Sequence, residues 1–568
     1  MYFTLAVSAA TAEGCAALAG AARDADPRIM PLPGPPGIAW RAPDGRAAVL
    51  YWPGGATPRN PPLFFFPGGP IPPDPPWEGP IPPDRPSEGP IPPEPPCSHA
   101  GTIWADPTAR DPAAVCARTG LACVDPVYLA ETPGAVVLSD RACWAAAATG
   151  RLADHDPVMV GAFLSLCYPV GAATPFRGVR AVGGGRMLRA AGGRVTLGPA
   201  RGDDADTPPG ASQVAAALVD AVRPLGKERG PVELSLTGGK DSRLIAAALT
   251  AADVPFRART HGFARHPDVV IAGMIAERLG LEHRVTEPAI PGTPDQGGVV
   301  GRLRSAVLVS DGMLSAFENV GSWIRPDPQA AAPPVQAGGH GGELLRGGYA
   351  QAAWRGPAAL SAAAAAELFR RMTTRRLSLL GPAAAAAYLA SLAPSAAALA
   401  RGPLSALDDF YLVNRAGRWS ATARQAYLLR SPLAQPLFED QVVRAARAVL
   451  LRQRMSDRLH RDVLASLCPG LDGLPLTGSP WHGEARTPAN VLRAPAAIGD
   501  WRRDYGEDMA RFFRGYVLDH GAGSRLFGVV RRRAAERALR WPQTDPNAVW
   551  ALATLAALMS GDWLNART

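Results

Sequence analysis

Three stretches between residues 231 and 350 each run from a strand-like segment through a turn that contains glycine into a helix-like segment. The turns are TGGKDS (237–242), HGFARHP (261–267) and GGHGGE (338–343). Repeated strand, turn and helix units are typical of an α/β fold with a parallel sheet. Ligands of such sheets bind beyond the carboxyl ends of the strands. We therefore expect the three turns to lie together there and to form the functional site.

The first turn has the residues of a phosphate site. Gly238 and Gly239 let backbone N–H groups approach an anion, and the helix that follows presents its positive end to the same place. The segment is not a Walker A loop, because the spacing differs and an acid, Asp241, follows Lys240. A carboxylate beside a bound triphosphate is suited to holding Mg²⁺. A plain strand-to-helix turn is the alternative interpretation.

The chain changes character near its first third. Short apolar runs such as 48–52 and 135–140 predict a mostly β region at the amino-terminal end. The polar segment 200–212 marks a boundary, and after the glycine turns the sequence becomes alanine-rich with helical periodicity. We therefore predict two domains, 1–205 and 206–568.

Residues 69–98 contain a ten-residue proline-rich unit three times, each beginning GPIPP. Proline at this density cannot support a helix or a β-ladder, and it favours extended polyproline II. We interpret the repeat as an insertion in the amino-terminal domain. A segment that docks a partner is the alternative.

Composition excludes several classes of protein. Apolar residues make up 47% of the chain and charged residues 19%, which excludes an intrinsically disordered protein. The net charge of +9 comes almost entirely from arginine, because lysine occurs only at Lys227 and Lys240. Biased codon usage is the better explanation of so much arginine, alanine, proline and glycine. The charge therefore predicts no nucleic-acid partner.

The cysteines and the apolar segments indicate in which cellular compartment the protein works. Seven cysteines form no C-x-x-C pair, which argues against a disulfide framework or a zinc site and fits a reducing cytoplasm. The first residues lack a basic segment, so we expect no signal peptide. The uncharged stretch 381–400 has the length of a membrane span, but Pro394 interrupts it. We predict a pair of helices of a soluble protein there, and no membrane partner.

Several segments carry a family resemblance. TGGKDS after a strand resembles the pyrophosphate loop of the ATP pyrophosphatase superfamily, and its surroundings resemble the asparagine synthetase branch. The similar segments are HPDVVIAGMIAERLGLEHR (266–284), GHGGELLRGGY (339–349), PLFEDQVV (436–443) and TPFRGVRAVGGGRML (174–188). The resemblance implies a mostly β glutaminase-like (Ntn) domain, then a parallel-sheet synthetase domain with added helices that uses ATP and Mg²⁺.

The resemblance also assigns site residues. Asp241 and Glu343 would share Mg²⁺, with Glu343 standing where the branch usually has an aspartate. Arg346 and Tyr349 would line the mouth of the site, although a tyrosine after two glycines is often a packing residue. The residues that the resemblance places around ATP are Ser235, Thr237, Gly238, Gly239, Lys240, Asp241, Ser242, Asp268 and Gly339.

Two departures from the branch narrow the interpretation. Members that use glutamine have a cysteine at the processed amino terminus, but here Tyr2 follows Met1, so the resemblance implies a degenerate domain without glutaminase activity. A late lysine that these enzymes aim at the reaction intermediate has no counterpart, because no lysine follows Lys240. The candidates to replace it are Arg454, Arg458 and Arg461, of which Arg458 is preferred.

Together these features resemble the macrolactam synthetases that close lasso peptides, the lasso peptide cyclases. The resemblance implies adenylation of an Asp or Glu side chain in a leader-free core peptide. The peptide's own amino-terminal amine would then displace AMP and close an isopeptide ring. The implied partners are that core peptide and the leader peptidase and leader-binding protein of the same pathway.

His340 stands where asparagine synthetases carry Glu and β-lactam synthetases carry Tyr. An α-amine has a pKa of ~7.7 to 8.0 and must lose a proton before it attacks, and a histidine with a pKa of ~6.5 is a suitable acceptor. We expect His340 to be the catalytic base, with a loop histidine bonded to backbone as the alternative. Glu318 is a further catalytic candidate. Asp311, on the same segment, would contact the amine or support the metal, and solvation of a helix start is the alternative for both acids.

Two other functions remain open from the sequence. One is a small-molecule amide synthetase similar to β-lactam or asparagine synthetase. The other is an inactive scaffold that binds a partner through its basic surface and the proline repeat. The intact pair of Asp241 and Glu343 disfavours the scaffold.

Overall fold

A computed structural model describes most of the chain outside the proline-rich repeat. The described residues are 2–29, 37–53, 102–105, 114–200, 210–228, 230–287, 295–318, 333–353, 362–492, 502–503, 506–540 and 545–565. The repeat 69–98 and the predicted domain boundary after residue 205 lie outside the described residues. Both interpretations therefore stay predictions.

The amino-terminal part folds into two antiparallel sheets with helices. Its described strands are β1 (Tyr2–Ala9), β2 (Gly37–Arg41), β3 (Ala47–Pro53), β4 (Thr102–Ala105), β5 (Val115–Arg118), β6 (Tyr128–Thr132), β7 (Ala135–Ser139), β8 (Val179–Ala181), β9 (Arg186–Ala191) and β10 (Arg194–Pro199), and its helices are α1 (Ala12–Ile29), α2 (Ala142–Ala148) and α3 (Pro157–Leu166). The strand orders in the described part are β2-β3-β1-β7-β6-β8 and β10-β9-β5-β4. The prediction of a mostly β region is confirmed, but it missed the long helix α1.

Alternation along β1 explains how these layers stack. Leu5 and Val7 belong to the core that also contains the residues of α2 and α3. Ala6, between them, belongs to the core between the two sheets, together with Leu188 and Ala190 of β9. Successive side chains of a strand point to opposite faces. Helices therefore cover one face of the first sheet, and the second sheet covers the other.

A parallel sheet follows, as the strand, turn and helix units predict. The described elements are α4 (Ala211–Val222), β11 (Val232–Ser235), α5 (Lys240–Ala251), β12 (Phe256–His261), α6 (Pro267–Leu279), β13 (His283–Thr286), α7 (Gln296–Ser310), β14 (Gln336–Ala337), α8 (Gly348–Ala353) and β15 (Leu433–Ala434). Their strand order is β13-β12-β11-β14-β15, with every pair parallel. Since Leu234 of β11 pairs with Ala337 of β14, the first and third glycine turns leave the sheet side by side.

The remainder is mainly helical, as predicted. The described helices are α9 (Ala362–Thr373), α10 (Pro382–Arg401), α11 (Pro403–Phe410), the π-helix Tyr411–Ser420, α12 (Ala421–Leu428), α13 (Asp440–Ala448), α14 (Leu451–Met455), α15 (Arg458–Leu467), α16 (Glu507–Ala522), α17 (Leu526–Val529), α18 (Arg532–Arg540) and α19 (Pro546–Ser560). Shorter 3-10 segments are Arg223–Lys227, Ala316–Glu318, Gly342–Arg346, Leu377–Leu379, Pro436–Phe438 and Asp562–Asn565, and β16 (Leu476–Thr477) pairs with β17 (Val491–Leu492). Helix α19 lies in the core, where Trp550 is fully buried.

The apolar stretch 381–400 forms one helix, so the prediction of a pair of helices is wrong. Helix α10 continues through Pro394. Leu392 and Leu399, on either side of that proline, are buried, and the Tyr388 hydroxyl donates to the Thr373 carbonyl at 2.8 Å. This packing offsets the cost of a proline inside a helix, which is ~3 kcal/mol. By length and composition alone, α10 is the helix among the described residues that is apolar enough to span a membrane.

Candidate active site

The turn after β11 is held in shape by its own side chains and by one carboxylate. Ser242 Oγ accepts the Thr237 N–H at 3.1 Å, and Thr237 Oγ1 accepts the Gly239 N–H at 3.2 Å. Asp268, in the first turn of α6, accepts the Gly238 N–H through Oδ1 at 3.0 Å. The predicted residues Thr237, Gly238, Gly239, Ser242 and Asp268 therefore form one hydrogen-bonded unit. Ser235 lies beside it as the exposed last residue of β11.

The start of α5 is suited to an anion. Its N-cap residue is Gly239, and no side chain caps the first turn. A helix carries a partial positive charge at its amino-terminal end, where backbone N–H groups lack intrahelical partners. The rigid loop and the uncapped helix end together form the arrangement that binds phosphates in other α/β proteins.

The third glycine turn packs directly on Asp241. A Cβ atom on Gly339 would lie 2.6 Å from the Asp241 carbonyl carbon, and one on Gly342 would lie 2.6 Å from the Asp241 Cβ. Side chains therefore have no room at either position. Gly341 has a φ of +98°, in the region that favours glycine. Contact with the first turn thus explains Gly339 and Gly342, and the backbone conformation explains Gly341.

This contact brings the carboxylates of Asp241 and Glu343 close enough to influence each other electrostatically. Asp241 Oδ2 accepts from Arg346 Nη2 at 2.7 Å, and Glu343 Oε2 accepts from the Tyr411 hydroxyl at 2.9 Å. Burial raises the pKa of Asp241 to about 6, Arg346 opposes that shift, and the negative charge of Glu343 adds to it. The charge of Glu343 therefore makes Asp241 harder to ionise.

The acidic pair fits a hard divalent cation. Asp241 Oδ1 is buried without a hydrogen-bond partner, and carboxylate oxygens are the ligands that Mg²⁺ prefers. Among the described residues, no group of three or more His, Cys, Asp or Glu side chains could hold a metal ion. Mg²⁺ is commonly held by one or two carboxylates together with substrate phosphates and water, and Asp241 and Glu343 would supply two such carboxylates.

Lys240 is tied to a second part of the site. Its Nζ donates to Asp457 Oδ2 and to the Pro480 carbonyl, the latter at 3.0 Å, and lies 4.9 Å from the centre of the Trp481 ring. Burial lowers the pKa of Lys240, and the pair with Asp457 opposes that shift. Asp457, which is buried, also accepts from Gln351 Nε2 at 2.7 Å. The lysine thus links the first turn to the start of α15.

His460 is a site residue that the sequence interpretation missed. It is completely buried on α15, its Nε2 lies 3.1 Å from the Lys240 carbonyl oxygen, and its Nδ1 lies 3.8 Å from Asp241 Oδ1. Burial, helped by the charge of Arg346, lowers the pKa of His460 to about 3, so the ring is neutral. The segment 454–461 was considered for its arginines, and nothing local marks this histidine as different from a core residue.

His340 lies on the third turn, between Gly339 and Gly342, the two glycines that pack on Asp241. Part of His340 is exposed to solvent, but protein atoms surround its ring, and this burial lowers the pKa of the imidazole. The charge of Glu343 opposes this shift, and the charge of Arg415 adds to it. The imidazole is therefore neutral at pH 7 and able to accept a proton.

A wall of aromatic residues and one arginine lies beside Glu343, which accepts a hydrogen bond from Tyr411 of this wall. The hydroxyl groups of Tyr168 and Tyr349 lie 2.8 Å apart, and the ring centres of Tyr349 and Tyr411 are 5.3 Å apart in an edge-to-face arrangement. The Arg415 guanidinium lies 3.5 Å from the centre of the Trp419 ring and 6.0 Å from that of Tyr168. Tyr168 comes from the amino-terminal part, so both parts of the chain form this wall. Of these residues, the sequence interpretation identified Tyr349 alone.

Two predicted catalytic residues, Arg458 and Glu318, have no contact with the candidate active site in the described part of the chain. Arg458 is exposed at the start of α15, and its Nε pairs with Asp462 at 3.5 Å. Glu318 is exposed at the end of the 3-10 segment Ala316–Glu318. Their catalytic roles stay predictions that the geometry does not support.

Other candidates have structural partners. Arg454 is buried and donates to Asp408 and to the Leu344 carbonyl, and Arg461 pairs with Asp472 and Glu484. Asp311 is buried rather than solvated. It pairs with Arg141 of the amino-terminal part and accepts the Cys143 N–H at 3.1 Å. Both of its oxygens therefore serve the contact between the two parts of the chain, and neither interpretation offered for Asp311 fits.

Comparison with known families gives one match. Residues 213–289 match the model of the asparagine synthase family. The matched segment contains the first glycine turn and Asp268, so the similarity to that family includes the candidate phosphate loop. No match was found among curated proteins.

Proposed function

We propose that the protein is a lasso peptide cyclase, an ATP- and Mg²⁺-dependent ligase that closes a macrolactam in a leader-free core peptide. Amide formation driven by ATP is what the family match supports in general. The proposed reaction joins an Asp or Glu side chain of the peptide to its own amino-terminal amine. Its other products are AMP and pyrophosphate.

The observation that carries this proposal is the seating of the GGHGGE turn on Asp241. Gly339 and Gly342 make that contact possible. It sets the acidic pair beside the anion-binding loop and sets His340 beside the acidic pair. One short turn thus supplies the groups that both half-reactions need.

In the first half-reaction, a peptide carboxylate oxygen attacks the α-phosphorus of ATP, and pyrophosphate leaves. The loop 237–242 and the amino-terminal end of α5 would bind the phosphates. Asp241 and Glu343 would hold Mg²⁺, which when bound neutralises charge on the phosphates. His460 and Arg346, which lie against Asp241, fix the position of its carboxylate.

In the second half-reaction, His340 accepts a proton from the peptide's ammonium group. The freed nitrogen lone pair attacks the acyl carbon, and the bond from that carbon to the oxygen of AMP breaks. The nitrogen then gives up its second proton to water, which leaves the neutral amide. General base catalysis of this kind contributes typically ~10²- to 10⁴-fold. Holding the amine beside the acyl carbon adds a separate contribution, which orientation alone can make large.

The described cysteines, all free thiols, support a cytoplasmic location, where the leader peptidase and leader-binding protein would be its partners.

Pyrophosphate release tests the proposal directly. The enzyme is incubated with Mg²⁺-ATP and a panel of linear peptides that have a free amine and one Asp or Glu at different distances from it. Release that requires a peptide, together with a product whose mass is lower by one water, is the expected result. Release with free aspartate but with no peptide would favour a small-molecule amide synthetase instead, and release with neither would favour the scaffold.

An amino-terminally acetylated peptide is the matched control. Its carboxylate remains available for adenylation, but its amine is blocked. We expect hydroxylamine to trap the activated acid from this peptide as a hydroxamate and no ring to form.

A further inference from the structure

The guanidinium of Arg415 is held by aromatic side chains and not by carboxylates. Its guanidinium lies against Trp419 at 3.5 Å and near Tyr168 at 6.0 Å. Stacking on an aromatic face leaves the edge of the guanidinium, with its N–H donors, free for a planar anion. Among the described residues, no carboxylate comes within ion-pair distance of it.

This cation is connected to the candidate active site through three tyrosines. The Tyr168 ring, 6.0 Å from the Arg415 guanidinium, has its hydroxyl 2.8 Å from that of Tyr349. The Tyr349 ring lies 5.3 Å from that of Tyr411, whose hydroxyl donates to Glu343. This side of the candidate site therefore carries a positive charge that has no counterion among the described residues.

The backbone that carries Arg415 is held firmly. It belongs to the π-helix Tyr411–Ser420, and π-helices are rare and frequent at functional sites. Asn414 Oδ1 accepts the Gly171 N–H at 2.7 Å, and Arg418 Nη2 donates to the Ala173 carbonyl. A Cβ on Gly417 would lie 3.2 Å from the Ala122 carbonyl oxygen. The amino-terminal part thus fixes the direction in which Arg415 points.

We propose that Arg415 binds the substrate carboxylate that is to be activated. The inference rests on the proposed function and names a residue that determines its specificity. A guanidinium offers two parallel N–H donors to a carboxylate, a match that a lysine cannot reproduce. Once the carboxylate is esterified to AMP, its negative charge is gone, and the hold of Arg415 on it weakens. The amino-terminal part would then serve the reaction by positioning Arg415 and Tyr168.

A thermodynamic cycle that combines one change in the enzyme with one change in the peptide tests this assignment. The dissociation constants of a substrate peptide and of its acceptor Asp→Asn or Glu→Gln analogue are measured without ATP, for the wild-type enzyme and for Arg415→Gln. We expect the wild type to bind the acidic peptide ~10- to 100-fold more tightly than the amide analogue. In Arg415→Gln that preference should vanish, and Arg415→Lys should restore it only in part. Arg511→Gln, at an exposed arginine paired with Asp508, is the control and should keep the full preference.

Kinetics supply a second measurement. Arg415→Gln should raise the KM for the peptide in pyrophosphate release and leave the KM for ATP unchanged. A melting curve identifies a variant that does not fold, and Arg415→Lys then decides the question. An unchanged preference in a folded Arg415 variant would overturn the inference. The inference would also be overturned if the preference were lost on amidation of the peptide's terminal carboxylate and did not depend on the acceptor side chain. Wild-type enzyme that releases no pyrophosphate with any peptide would instead contradict the proposed function itself.

Discussion

A Cβ atom at position 342 would lie 2.6 Å from the Cβ of Asp241, well inside the ~3.5 Å at which nonbonded carbon atoms make their best contact. The two residues belong to turns that follow different strands, β14 and β11, which are neighbours in the parallel sheet. The distance between Glu343 and the anion-binding loop that carries Asp241 is therefore set by a contact that only glycine allows.

Gly342→Ala should separate the two turns. We expect pyrophosphate release to fall by ~10²-fold, because a displacement of about 1 Å at a reacting centre has that effect. The matched control is Gly301→Ala, at an exposed position in helix α7 where a new Cβ meets nothing within 4 Å. That change should leave activity unchanged and raise the stability by ~0.5 to 1 kcal/mol. Full activity of a folded Gly342→Ala enzyme would mean that the seating contact is not needed.

Asp241→Asn should abolish adenylation without harming the fold. The amide keeps the shape of the carboxylate but not the charge that binds a hard cation, so pyrophosphate release should fall by ~10²-fold or more. The raised pKa of Asp241 means that its ionised form costs stability, a cost that grows as the pH rises from 3.8 through about 6. We therefore expect the variant to melt at pH 8 no earlier than the wild type. Mg²⁺-ATP should raise the melting temperature of the wild type alone.

The sequence was sufficient to locate the phosphate loop and the acidic pair, because their chemistry lies in contiguous motifs. TGGKDS and GGHGGE each combine glycines with an acid within six residues, and the parallel sheet then brings them together. The predicted residues Asp241, Glu343 and Asp268 accordingly lie within one site.

The aromatic wall could not be found in the same way. Tyr168 follows α3 and Arg415 lies on the π-helix, and they meet only because Asn414 and Arg418 bind the backbone at Gly171 and Ala173. No spacing in the sequence encodes such a contact. Arg458 shows the converse: its charge and its segment favour a role in the site, but its exposed side chain pairs with Asp462, and its catalytic role stays a prediction.

His340→Ala should separate the two half-reactions. Activation depends on the loop and the acidic pair, whereas ring closure needs a group that accepts the amine proton. We expect hydroxamate to form normally in the presence of hydroxylamine, while cyclic product falls by ~10²- to 10⁴-fold in a single turnover. Loss of hydroxamate as well would assign His340 to ATP binding or to the fold. Cyclisation at the wild-type rate would mean that His340 is an ordinary loop histidine.

Asp457→Asn should destabilise the protein much more than Asp462→Asn. Asp457 is buried with Lys240, and removal of one member of a buried pair costs ~3 to 5 kcal/mol. The Asp462 pair with Arg458 is exposed and contributes ~0 to 1 kcal/mol. Burial raises the pKa of Asp457, but the bond and charge of Lys240, the Gln351 bond and the charge of Arg346 together outweigh it, so the pKa is lowered. Its contribution is therefore present above its ordinary pKa of 3.8 and is lost as the pH falls through the lower, folded-state value.

The pH dependence separates the Lys240 pair from a loss of packing. The difference in melting temperature between the wild type and Asp457→Asn should be largest near pH 7, where the carboxylate and the ammonium are both charged. It should shrink on the acid side as Asp457 takes up a proton. It should also shrink on the alkaline side, because burial lowers the pKa of Lys240 and a neutral lysine no longer needs a counter-charge. A difference that stays constant from well below pH 3.8 up to pH 10 would show that Asp457 acts through its hydrogen bonds to Gln351 and to the His482 N–H, and that its charge on Lys240 has no part in stability.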